Sequence, residues 1–593
     1  MSGYNHFEYV PSSVTSDRSG FVFKKTVPQG AQLGWLYPMC APIRMIPGSS
    51  LTLDLSIEIR SGALIAPLMT ELYLDCFAFN VPNRIVWEHW KQFLGAVDDV
   101  LFDNLSTYTI PSFKYGGCAV QQNAAAAAWV DNSHINYQWN QTLACHFELP
   151  FPYKGSEGDY KSYEFVEISA LPFRGYNFIW NEFFTPEYLS DRVLFSKTDD
   201  GKSGDNMTYE ADSNYWERWS GVATPVPSPF VTGQTVSVGG CVLPVSRAHR
   251  SLWTSCLPKP SLETINLLDG VQGHIPVYLE NASGAIASDA TITPFAFGAI
   301  ASGGSGPLAG QTSGGAQSGF LRSNLDDAVL TVNAYRELVL LQNYFNVLNS
   351  AGSRYDEILV NLFHTRSPQA VISIPELIVH KRFTIYRKEV VATAQTNNGS
   401  SNVKPLGSQG AYIDTIVNDN FFTKSVTEHS YIHLLYCIRP AYIVMTSGFE
   451  PMWTQLTKFD QFYPQFQGMG DVPRGKMEVS YAFTSADSKT AVLGYQEYSA
   501  EYKYQRNSAV GWLDPHTPNP IRGYTINDEF YGTANVSLSN YYLSCATEEV
   551  SFSNCLAITS PLLAPQFILD IRLNGKIYEP MKVYNIPGQG DLL

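Results

Sequence analysis

The residues with most chemical potential are a histidine pair, several carboxylates and one basic stretch. In Glu428-His429-Ser430-Tyr431-Ile432-His433 two histidines stand four apart. A zinc protease needs its glutamate directly after the first histidine, and a helix to bring both imidazoles to one face. Here the glutamate precedes the pair, and the flanking residues read as a strand, on which positions i and i+4 lie about 13 Å apart. The pattern points to a structural or interface role. Gly201-Lys202-Ser203 has the last three residues of a phosphate-binding loop, but Ser196 stands where that loop needs its first glycine, and no apolar strand leads into it. With Asp199, Asp200 and Asp205 around it, it reads as a polar turn. Adjacent carboxylates such as Asp98-Asp99 and Asp199-Asp200 lack the facing geometry of glycoside hydrolysis. No Gly-x-Ser-x-Gly elbow occurs. Glu88 and His89 sit beside Trp87 and Trp90, where a satisfied, partly buried histidine is the plain reading. No catalytic, cofactor-binding or metal-ligating residue is expected.

One segment combines bases with aromatics: His380-Lys381-Arg382-Phe383-Thr384-Ile385-Tyr386-Arg387-Lys388. On a strand, Arg382, Tyr386 and Lys388 share one side, a surface suited to stacking bases and holding phosphates of single-stranded nucleic acid. The same bases would equally serve a strand that pairs with acids of a neighbouring subunit, and the residues leave both readings open. The nucleic-acid candidates are Lys381, Arg382, Tyr386, Arg387 and Lys388, joined by Arg247 and Arg250 from a smaller cluster around His249.

Composition limits what else these residues can do. The chain has 593 residues, 45% hydrophobic and 13% aromatic, which excludes disorder because such a chain can bury a large core. Its 54 acids against 39 bases give a net charge of −15, so a bulk electrostatic hold on nucleic acid is not expected. Only 16% of residues are charged, against roughly 25% in ordinary soluble domains. Ser, Thr, Asn, Gln and Gly take their place, as on a surface that meets other protein. The nine cysteines are scattered, with no Cys-x-x-Cys pair, and read as buried free thiols in a reducing compartment. Neither a secretory signal nor a membrane span is expected.

The elements that must position these residues are mostly strands. Leu51 to Arg60 alternates without a fault, with Leu51, Leu53, Leu55, Ile57 and Ile59 on one face. Leu72 to Val81 is apolar on both faces and reads as fully buried. Further strands are expected over 236–245, 378–391, 431–444, 477–483, 533–543 and 566–571. Many short strands with Gly/Pro punctuation, and no βαβ alternation, favour a sandwich or barrel. Helices are few: one capped by Asn83, one over 173–184, a longer one from near Ser323, and one over 354–363. Residues 299–319 are almost all Gly, Ala, Ser, Gln and Pro, and 261–322 reads as one long inserted loop or small protruding subdomain.

Several stretches together resemble one family, the major capsid proteins of the gokushoviruses, small single-stranded DNA phages of the Microviridae. They are Val81-Pro-Asn-Arg-Ile-Val-Trp-Glu-His-Trp-Lys91, Ala170-Leu-Pro-Phe-Arg-Gly-Tyr-Asn-Phe-Ile-Trp-Asn-Glu182, Thr254-Ser-Cys-Leu-Pro258, Phe422-Thr-Lys-Ser-Val-Thr-Glu-His429, Leu493-Gly-Tyr-Gln-Glu-Tyr498 with Ala500-Glu-Tyr502, and Met581-Lys-Val-Tyr-Asn-Ile-Pro-Gly588. They follow the family's order across nearly the whole chain. Residues 199–240 and 261–322 match poorly, and the latter falls where the family carries an insertion that forms surface protrusions.

The resemblance implies a mainly β protein: a single eight-stranded antiparallel jelly roll with long loop insertions and a few helices. It implies an N-terminal arm over 1–30, jelly-roll core over 31–260, the variable insertion over 261–322, and helices, remaining core and a C-terminal arm over 323–593. About sixty copies would form a small icosahedral T=1 shell around a circular single-stranded DNA genome, assembled in the host bacterial cytoplasm. Implied partners are further copies of the chain, the packaged DNA, a small basic DNA-binding protein, a pilot protein, a scaffolding protein and a host surface receptor, with no membrane and no cofactor. The competing reading is a secreted or surface carbohydrate-binding or carbohydrate-active β-sandwich, drawn from the aromatics and the Asn/Ser/Gly-rich loops.

Overall fold

The computed structural model describes residues 18–95, 108–115, 140–150, 166–185, 192–198, 240–247, 251–259, 354–365, 373–391, 409–445, 448–466, 470–480, 491–514, 520–527, 536–538, 545–557 and 564–584, with short fragments between them. The chain divides into two compact units, Met1–Pro260 with Leu362–Leu593, and Ser261–Asn361. In the second unit Val277–Asn281 pairs antiparallel with Gly319–Ser323, and Gln311–Thr312 with Gly315–Ala316.

The strands of the first unit discussed below are β1 (Ser19–Ala31), β2 (Trp35–Pro38), β3 (Ile43–Met45), β4 (Ser50–Ser61), β5 (Leu72–Pro82), β6 (Leu243–Pro244), β7 (Glu376–Ile385), β8 (Arg387–Val391), β9 (Gln409–Ser425), β10 (Ser430–Pro440), β11 (Asp471–Gly475), β12 (Val492–Glu497) and β13 (Phe567–Glu579). One sheet runs β1-β13-β4-β9-β8; the other runs β6-β2-β10-β5-β7, with β3 also on β10. Every pairing is antiparallel. Of the eleven strands in these two sheets, β1, β2, β4, β5, β7, β9, β10 and β13 form four antiparallel pairs. Along the chain, the first of them pairs with the last, the second with the seventh, the third with the sixth and the fourth with the fifth. A long double strand rolled upon itself gives this order, and it is the order of a jelly roll.

Burial explains which segments became which strands. In β4, Leu51, Leu53, Leu55, Ile57 and Ile59 are at most 1% exposed, while Asp54 and Arg60 face outward. Each such side chain contributes about 1.5–3 kcal/mol to burial, and a one-residue slip would put all of them in water. The central β5 and β10 are buried along almost their whole length because helices cover the outer side of their sheet. These helices are α1 (Asn83–Val86), α2 (Trp90–Phe93), α3 (Leu143–His146) and α4 (Leu171–Ile179), all within the long connection from β5 to β7. A π-helical turn, Trp180–Phe184, continues α4. The Tyr176 hydroxyl donates to the Leu36 carbonyl at 2.8 Å and accepts from the Leu243 amide at 2.9 Å, while Trp180 Nε1 donates to the Pro244 carbonyl at 2.8 Å. Beyond β10, a smaller core joins Leu252, Trp253 and Cys256 to Met445, Val479 and Leu493, under the β11–β12 hairpin.

Several expected elements take a different form. The segment 378–391 is two strands in two sheets, because the chain crosses at Tyr386 from β7 to β8. Of the described residues of the 236–245 segment, 236–237 and 243–244 lie in strands, and Gly240 between them has φ +91°, a left-handed conformation. The strand expected over 431–444 ends at Pro440, and Lys476–Glu478 is a 3₁₀ turn where a strand was expected. Asn83 is the first residue of α1 and not its cap, and the helix stops at Trp87, whose backbone is extended. β1 begins at Ser19, inside the 1–30 segment assigned to an N-terminal arm, and β9 arises where no strand was expected. The helix expected from Ser323 lies mainly outside the described residues, as does most of 533–543, whereas the one expected over 354–363 is present as Tyr355–Phe363.

Candidate functional site

The basic segment is positioned by the crossing from β7 to β8. Thr415 of β9 fixes that crossing: its hydroxyl accepts from the Tyr386 amide at 2.8 Å and donates to the Tyr386 carbonyl at 3.0 Å. The residues before and after it therefore belong to different sheets, and Arg382 and Lys388 do not share a strand face.

Before the crossing, the bases point to acids of the same chain. Arg382 grips Asp75 of β5 with Nε at 2.7 Å and Nη2 at 3.1 Å, and its guanidinium lies 5.0 Å from the Tyr73 ring centre. Asp75 is fully buried and is also held by Arg439 of β10, whose Nε is at 2.9 Å, and by His380 Nε2 at 3.3 Å. His380 in turn stacks on Phe77 at 4.5 Å. Burial alone would raise the Asp75 pKa, but the hydrogen bonds and charges of Arg382 and Arg439 outweigh it and hold the carboxyl below its ordinary value. Lys381 pairs with Asp419 and donates to the Asn420 carbonyl at 2.6 Å. Of the smaller cluster, Arg247 is buried against Glu548 at 3.6 Å. Arg250 and His249 lie outside the described residues, as do Gly201-Lys202-Ser203 and the paired aspartates Asp98-Asp99 and Asp199-Asp200.

After the crossing, the side chains face water. The Tyr386 ring is 67% exposed, all five residues of β8 are exposed, and Arg387 makes no ion pair with any described residue. Lys388 pairs with Asp414 of β9 and sits 6.0 Å from the Tyr412 ring centre. That ion pair raises the Lys388 pKa and lowers that of Asp414. Tyr412 stands beside Lys388 on the outer face of the sheet edge, whereas Arg387, opposite the buried Ile413, lies on the other face of β8. The sequence gives no local signal for Tyr412, since it stands opposite Lys388 only through strand register.

The outer face of the same sheet carries a row of charges that spacing along the chain does not reveal. Asp570 and Arg572 of β13, Glu58 and Arg60 of β4, Asp414 of β9 and Lys388 of β8 alternate in sign across four strands. Arg572 reaches Glu58 at 3.6 Å and Arg60 reaches Asp414 at 3.8 Å. Exposed pairs like these contribute roughly 0–1 kcal/mol each, and equal numbers of each sign leave the row without a net positive field.

Other chemistry-bearing residues are structural. His433 of β10 is 1% exposed, with neither ring nitrogen hydrogen-bonded to any described residue, and burial lowers its pKa to about 3. His429 packs edge-on against Trp90 at 5.5 Å. Cys40, Cys76, Cys145, Cys241, Cys256, Cys437 and Cys555 are free thiols, and burial pushes Cys40, Cys241, Cys256 and Cys437 up to about 12. Among the described residues no cluster of His, Cys, Asp and Glu could hold a metal ion, and no helix is long and apolar enough to cross a membrane.

Comparison with known proteins adds what the geometry leaves open. A protein family described as capsid protein (F protein) matches residues 10–137 and 161–589. Capsid protein VP1 of Bdellovibrio phage phiMH2K is 24% identical over 569 residues, covering 92% of this chain and 90% of that protein. Capsid protein VP1 of Chlamydia phage 1 is 24% identical over 644 residues, covering 98% of this chain and 97% of that protein. Capsid protein VP1 of Spiroplasma virus 4 is 24% identical over 563 residues, covering 91% and 90%.

Proposed function

This chain belongs to the phage capsid protein (F protein) family, and from that premise we propose that about sixty copies close into a small icosahedral shell around a circular single-stranded DNA genome. The chain is a major capsid protein and a component of the virion, and its copies assemble into a shell. The observation that carries the finer reading is the near-complete coverage by capsid relatives of a chain whose long strands roll into a jelly roll. Its role is structural, with no reaction catalysed. Electron microscopy of particles from producing cells tests the reading: isometric particles of one size support it, and a folded chain that stays monomeric in those cells overturns it.

Within that shell the DNA contact is assigned to Tyr386, Arg387, Lys388 and Tyr412, the exposed bases and rings of the sheet edge. Lys381, Arg382 and Arg247 support it less, because each is paired with an acid of its own chain and is more buried than Lys388, which keeps 53% of its side chain exposed beside Asp414. The net charge of −15 leaves most of the genome's phosphates to a separate small basic protein. Pilot and scaffolding proteins of the same virus are the remaining assembly partners, and the 261–322 stretch is the contact with a host surface receptor. Arg387→Ala with Lys388→Ala is expected to weaken oligo(dT) binding and to flatten its salt dependence by about 1.4 logarithmic units per decade, the share of two phosphate contacts. An unchanged slope assigns the DNA elsewhere.

A further inference from the structure

The connection between β10 and β11 carries a surface that the shell reading does not yet use. Residues 449–466 include only three charged side chains, Glu450, Lys458 and Asp460, among four phenylalanines, a tryptophan, a tyrosine, a methionine and a leucine. Trp453 is 67% exposed, Leu456 86% and Phe459 66%, and Met452, Phe462 and Tyr502 are also exposed. Together these six offer roughly 700 Å² of apolar-rich surface, at or above the largest patch that a typical monomer leaves in water.

The backbone beneath this surface is firmly fixed. Three 3₁₀ turns, Pro451–Trp453, Lys458–Asp460 and Pro464–Phe466, follow one another. The Asp460 carboxylate caps the middle one, accepting from the Thr457 amide at 2.7 Å and the Leu456 amide at 3.1 Å. Gln455 donates to Glu501 at 2.9 Å, and Glu501 is held in turn by Arg474 of β11. Phe462 packs against Tyr498 at 6.0 Å and Tyr502 at 6.1 Å, and the Tyr498 hydroxyl donates to the Gln461 carbonyl at 3.1 Å. Polar groups are thus spent on rigidity while the largest apolar side chains point to water. A rigid, aromatic, charge-poor surface is how the centre of a protein–protein contact is built, since little ordering entropy remains to be lost on docking.

We propose that this surface, centred on Trp453 and Leu456, is a contact between two copies of the chain in the assembled shell. The occupant follows from area: one side of a stable interface buries about 800 Å², close to what these residues alone supply. A heterologous contact repeated around a rotation axis gives every copy one such donor surface. The proposal rests on the capsid reading, and its test separates the two.

Hydroxyl-radical footprinting of Met452 and Trp453 is measured in particles from producing cells and in the same chain dissociated by mild denaturant and refolded by dilution. Protection of about tenfold in particles is expected. Equal oxidation in both overturns the proposal and leaves the capsid reading intact, because the patch then faces solvent or a host surface in a shell that exists. Absence of particles overturns both. As a second arm, Trp453→Ser with Leu456→Ser is expected to leave the melting curve of the isolated chain unchanged and to reduce particle yield at least tenfold. An unreduced yield overturns the proposal.

Discussion

Asp75 and His433 are one strand apart in the same sheet, and both tie stability to pH in the acid direction for different reasons. Asp75 is ionised, buried and held by two guanidinium groups, so its pKa is lower in the folded chain than in the unfolded one. Its contribution is complete above the ordinary carboxylate range near 4 and is lost as pH falls through the lower folded value. His433 is buried neutral, with a folded pKa of about 3 against 6.5. The unfolded chain takes up its proton below about pH 6.5 while the folded chain does not. Stability is therefore lost progressively as pH drops from there toward 3. His433→Leu is expected to shrink the stability difference between pH 7.5 and pH 5, read from urea titrations of the isolated chain; an unchanged difference places the acid sensitivity elsewhere. Asp75→Asn leaves Arg439 buried without its counter-charge and is expected to cost about 3–5 kcal/mol. Arg382→Ala should cost less, since that guanidinium is 40% exposed.

At the scale of elements, the covering of β10 by α4 depends on one missing side chain. A Cβ on Gly175 would stand 2.5 Å from His433 Nε2, inside contact distance. Glycine is a poor helix former, so Gly175→Ala would stabilise an isolated helix by about 1 kcal/mol; in this chain it is expected to destabilise by about 1–3 kcal/mol because helix and strand must separate. A raised melting temperature would show that His433 can swing away. Elements of this kind were legible in the sequence where burial follows a local period. The alternation of Leu51 to Ile59 marked β4, and the unbroken apolar run from Leu72 marked β5. β1 was not legible, because Lys24-Lys25, Pro28 and Gly30 interrupt its pattern and its partner β13 lies more than 500 residues along the chain. The site failed for a related reason: a single strand from 378 to 391 would have aligned Arg382 with Lys388, whereas the crossing at Tyr386, fixed by the distant Thr415, parts them and brings Tyr412 in.

For the whole molecule, the shortage of charge and the long connections have one explanation if copies of this chain meet through the connections and the sandwich serves as their frame. All eight of the paired strands lie outside Ser261–Asn361, so none of their registers depends on that unit. Within the unit, Asn281 and Gly319 are partners across an antiparallel pair, which places the two ends of the 282–318 stretch side by side. A two-residue Asn-Gly turn can join such ends, and shortening a loop changes its closure entropy by only about 0.6 kcal/mol per halving. Replacing residues 282–318 by Asn-Gly is therefore expected to leave the melting of the sandwich and the yield of particles unchanged while lowering attachment to host cells, counted as particles bound per cell. If yield falls with the replacement, the stretch joins subunits to one another and the receptor contact must be sought on another part of the shell.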